Sequence, residues 1–107
     1  MNNYKIRKMT VWQRLYVMDL LVKFKDSPFT VLALILKHGI ESWEGLNLKE
    51  TEMELAGNKK CKVLTDESLD LLLSQKGDIN EWNDIVNKIF EENAFPFTKD
   101  TIDGEQK

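Results

Sequence analysis

The sequence is poor in the residues that build disulfides, metal sites and catalytic clusters. Its 107 residues include one cysteine, one histidine and two prolines. A single thiol, Cys61, excludes an internal disulfide and suits a reducing, cytoplasmic setting. One histidine beside one cysteine supplies too few ligands for most metal sites, so neither a metal nor a cofactor is expected. No glycine-rich nucleotide loop or P-loop occurs. The most apolar stretch, Phe29 to Leu36, is eight residues long and broken by Thr30, whereas a membrane span needs about 20. Met1 to Met9 is polar and basic, with no apolar run and small-residue cleavage site after it, so a secretory signal and membrane contact are not expected. Positive charge is not in excess either. Fifteen Lys and Arg stand against eighteen Asp and Glu, a net charge of −3, which disfavours direct nucleic-acid binding by the whole chain.

What is present is ordinary globular composition, 42% apolar and 31% charged, enough for one small domain with a modest core. The pattern predicts a mainly α protein: a compact bundle of about four helices, with a short N-terminal strand or arm and a small β-hairpin at 50–64. The domain is placed at 1–95 and a polar tail at 96–107. Tyr4 to Met9 alternates, with Tyr4 and Ile6 on one face and Lys5 and Arg7 on the other. Thr10 caps a first helix from about Val11 to Lys25, with Gln13 placed to complete a capping box. Trp12, Leu15, Tyr16, Met18 and Val22 give that helix a broad apolar side, read as core-facing. Asp19 is the odd polar residue near this stripe, within reach of Lys23 one turn later.

Ser27-Pro28 opens a second helix, Phe29 to about His38, apolar almost all round and therefore central. An aspartate at Leu34 is expected to unfold the domain. Gly39 is read as a left-handed cap and His38 as a last-turn capping residue. Ile40, Trp43 and Leu46, spaced by three, suggest a short helical turn. From 47 to 62 two readings compete. Glu50, Glu52 and Glu54 opposite Lys60 and Lys62 across Gly57-Asn58 make a hairpin; a solvated disordered loop is the alternative. Thr65 caps a third helix ending near Gln75. Asp78 and Glu81 open a fourth, Asn80 to about Asn93, with Trp82, Ile85, Val86, Ile89 and Phe90 on its apolar face.

No arrangement of these residues makes a persuasive catalytic site. Nucleophilic catalysis needs an activated nucleophile, a base and an orienting group. The one histidine closes a helix, and nothing in sequence brings it to Cys61, although the neighbouring lysines would favour a thiolate there. A non-enzymatic protein is expected. Charge is unevenly distributed: +5 over 1–25, −4 over 26–58, +3 over 59–64 and −7 over 65–107. Such ends can pair within the molecule or between copies, giving weak self-association, or can simply keep the surface wet.

The order of signals is more specific than any one of them. "YKIRKMT" leads into a helix; a buried helix ends "LALILKHGIESWEGL"; a polar linker leads to "LTDESLDLLLSQKGDINEWNDIVNKIFEEN". Over about residues 4 to 93 this resembles the tail assembly chaperones of long-tailed phages and prophages. The matching positions are Gly39, Ile40, Trp43 and Gly45, then Leu64, Leu69, Leu72, Ile85, Ile89 and Asn93. The resemblance implies a binding module that coats a helical tape-measure protein and recruits tail-tube subunits. Candidate contacts are Trp43, Trp82, Phe95 and Phe97, guided by the cations Arg7, Lys8 and Arg14. A core role competes with the anchor role for both tryptophans. The alternative is a phage-encoded inhibitor of a host defence nuclease, anti-CRISPR-like, in which Asp66, Glu67, Asp70, Asp78, Glu81 and Asp84 mimic phosphates. A subunit or regulatory domain without activity of its own is a third, weaker reading.

Overall fold

A computed structural model describes residues 3–94. The 96–107 tail, Phe95 and Phe97 lie outside the described residues. The elements run β1 (Tyr4–Ile6), α1 (Val11–Lys23), α2 (Pro28–Gly39), β2 (Ile40–Trp43), β3 (Glu50–Glu54), β4 (Lys60–Leu64), α3 (Asp66–Gln75) and α4 (Ile79–Glu92). The four expected helices are present, but the fold is α+β, not a helical bundle. Two separate two-stranded antiparallel sheets, β1–β2 and β3–β4, stand beside the helices.

Where a helical turn is expected from Ile40 to Leu46, Ile40–Trp43 is a strand, and a turn then brings Leu46 back against Trp43. In the β1–β2 register Tyr4 faces Trp43, Lys5 faces Ser42, and Ile6 faces Ile40, so Glu41 is the additional residue of a bulge. A bulge shifts the alternation by one. That is how Ile40 and Trp43, three apart, are both buried, and why their spacing resembles a helix in sequence. The second sheet follows the expected hairpin: Glu52 opposes Lys62 and Glu54 opposes Lys60. Its turn places Gly57 and Asn58 at φ 71 and 62, the left-handed region that glycine and asparagine tolerate.

Helix α2 is central. It packs against α1, α3, α4, β2 and β4. Its Val31, Ile35 and Leu36 join Val17 of α1, Ile40, Leu64, Leu72 and the α4 residues Ile85, Val86 and Ile89 in one apolar core. Leu34 is only half-buried, so the intolerant positions are its neighbours Ile35 and Leu36, each 1% exposed. Gly39 is not a left-handed cap, because the chain passes directly from α2 into the extended Ile40. The glycine is required by close approach. A Cβ there would lie 2.7 Å from Cγ2 of Ile89, so α2 and α4 touch through the missing side chain.

Candidate functional site

Helix α1 starts as the sequence dictates, with Thr10 Oγ1 accepting from the Gln13 amide at 3.2 Å. The reciprocal half of the capping box is not made. Gln13 is buried, and its side-chain amide donates instead to the Lys62 carbonyl and to Nδ1 of His38, each at 3.0 Å. His38 is thus an interior residue and not a surface cap. Burial, aided by the Lys37 and Arg7 cations, lowers its pKa to about 4. With Nδ1 accepting from Gln13, the neutral ring carries its proton on Nε2.

Arg7, expected on one face with Lys5, is 5% exposed, whereas Lys5 is open to solvent. Its Nε and Nη2 donate to the His38 and Ile40 carbonyls, both at 3.0 Å, and its remaining arm pairs with the Glu50 carboxylate. Asn93 closes the same region, accepting from the Met9 amide at 2.8 Å and donating to the Arg7 carbonyl at 3.1 Å. Arg14 donates to the Asn93 carbonyl at 3.0 Å. Of the three expected guiding cations, Lys8 is exposed, Arg14 is half-buried and Arg7 is an interior clip.

The aromatic anchors are likewise occupied. Trp43 is buried, with its ring 4.8 Å from that of Tyr4. Trp82 is half-buried and donates from its indole to the Lys76 carbonyl, bracing the α3–α4 connection. The acidic residues Asp66, Glu67, Asp70, Asp78, Glu81 and Asp84 are all exposed. Lys37 holds Asp66 at 2.7 Å and keeps its carboxyl below the usual range. Cys61 is buried, and burial pushes its thiol up. The neighbouring lysines therefore do not activate it.

The feature that sequence reasoning missed lies on α1. Its buried side is Gln13, Val17 and Leu20. Three residues of the stripe expected to face the core are open instead: Trp12 is 43% exposed, Leu15 39% and Val22 73%, while Tyr16 and Met18 are half-buried. With Tyr16, Met18 and Asp19, and with Leu55 and Ala56 from the hairpin tip, these residues line a groove of about 530 Å³. The signal was present in the sequence, since α1 is apolar over more of its circumference than one packing face can bury. Asp19 does not pair with Lys23, whose ammonium instead lies 5.3 Å from the centre of the Phe24 ring.

Among the described residues no helix is long and apolar enough to cross a membrane, and no group of three or more potential metal ligands occurs. Comparison with protein-family models, curated proteins and solved structures finds no match to this chain.

Proposed function

We propose that the protein is a non-enzymatic binding module that holds an amphipathic helical segment of another protein in the groove between α1 and the hairpin tip. The observation that carries this reading is the outward stripe of Trp12, Leu15 and Val22 continued by Leu55 and Ala56. Contiguous exposed apolar surface on a small domain is costly in water and marks a contact site. A helix laid along such a groove buries its own apolar stripe there, with anchors at helical spacing. The resemblance to tail assembly chaperones supplies the client: a long helical tape-measure protein, with tail-tube protein recruited beside it, in a phage or prophage.

The test is a tagged pull-down from cells carrying the source phage or prophage, read by mass spectrometry, with wild type and a Trp12→Ser, Val22→Ser variant side by side. Recovery of tape-measure or tail-tube protein by wild type alone is the expected result. A second reading, inhibition of a host defence nuclease, draws on the exposure of the acidic residues from Asp66 to Asp84. It is favoured if the wild type recovers a nuclease complex and that recovery is lost on reversing Glu81 and Asp84, not on changing the groove.

A further inference from the structure

Among the described residues Asp19 is the only charged one lining the α1 groove, and its position within the stripe is central. Trp12, Leu15 and Tyr16 precede it by seven, four and three residues, and Val22 follows by three. On a helix these spacings place all four around Asp19 on one face. The carboxylate is exposed and makes no hydrogen bond or ion pair within the described residues. The cation one turn on, Lys23, is taken up by the Phe24 ring.

Resting on the groove reading, we propose that Asp19 selects the partner: the segment bound there is an amphipathic helix with a lysine or arginine within its apolar stripe. A helix covering Trp12, Leu15 and Val22 removes water from the residue they surround. A carboxylate covered by apolar side chains alone loses its hydration and gains nothing in return. A partner cation placed opposite restores a charge-assisted hydrogen bond in a partly dry setting, where it is stronger than in water. A partner acid at the same place meets like charge. One residue thus both rewards the right helix and penalises the wrong one.

The test uses the full chain and two synthetic helical peptides of about 20 residues, long enough to outspan α1. They share one leucine stripe and differ only at its central position, lysine in one and glutamate in the other. Affinities are read by fluorescence anisotropy for wild type, Asp19→Asn, Asp19→Lys and Trp12→Ala, with a circular-dichroism melt for each protein. The lysine peptide is expected to bind wild type about tenfold more tightly, equivalent to ~1.4 kcal/mol. Asp19→Asn should erase that preference and Asp19→Lys should invert it. Equal affinity of the two peptides for wild type, both weakened by Trp12→Ala, leaves the groove reading intact and overturns the role of Asp19. Binding of neither peptide, or binding indifferent to Trp12→Ala, overturns the groove reading and the inference with it.

Discussion

His38 shows what the interior asks of a single residue. It is 2% exposed, and its Nδ1 accepts from the Gln13 amide. Protonation would place a second donor against that amide, in a site already bearing Lys37 and Arg7. The folded protein therefore resists the charged form, while the unfolded chain takes a proton near pH 6.5. Because the unfolded state binds the proton first, stability is fully present above about pH 6.5. It is lost as pH falls towards the folded value of about 4. Urea midpoints measured between pH 7 and 4 should drop by the equivalent of about 3 kcal/mol from this group. In His38→Gln the dependence across that window should flatten. Cys61 follows from the same burial. At 6% exposure and with a raised pKa, its thiol should react with a disulfide reagent only slowly at neutral pH, and at a free-thiol rate in denaturant. Thiol release followed by absorbance checks this, and a fast native reaction would show the site to be open. Neither environment was legible in the sequence, because Gln13 reaches His38 from 25 residues away and Arg7 reaches both His38 and Cys61 from the start of the chain.

Elements were legible where their signals are local. Caps at Thr10 and Thr65 and the period of α4 were readable because each depends on residues within one or two turns. The β3–β4 hairpin was readable because opposite charges face each other across a short turn. The β1–β2 ribbon was only half-readable. Tyr4–Ile6 alternates, but its partner strand starts 34 residues later, without a loop after α2, and carries a bulge. Helix α1 was found, but its two sides were exchanged. Gln13 on its buried side and Trp12 on its open side invert the usual rule that apolar residues go inward. Gly39 belongs at this scale, because it sets how closely α2 approaches α4. Gly39→Ala pushes a methyl into Ile89, and overpacking of this kind costs about 1–3 kcal/mol. Pairing it with Ile89→Val, which vacates one methyl on the facing side chain, should recover part of the lost melting temperature. No recovery would place the strain elsewhere.

At the scale of the molecule, the uneven charge along the chain is partly resolved by the fold. The basic start meets the acidic middle, with Lys5 on Glu41 at 3.0 Å and Arg7 on Glu50. The acids from Glu67 to Asp84 remain on the surface. Apolar surface divides in the same way, into a core centred on α2 and an open stripe on α1. These two apolar sets make opposite demands on mutation. Leu36→Asp buries a charge where α2 meets the rest of the core, at 1% exposure, and no solvent can reach it. It should leave the chain unfolded at room temperature by circular dichroism. Trp12→Ser with Val22→Ser removes larger side chains, yet surface changes outside the packed interior usually alter stability by less than about 1 kcal/mol. That double variant should melt within a few degrees of wild type, bind less of an apolar dye, and lose the helical client. If it instead unfolds while Leu36→Asp folds, the assignment of inside and outside is reversed, and α1 is a core helix after all.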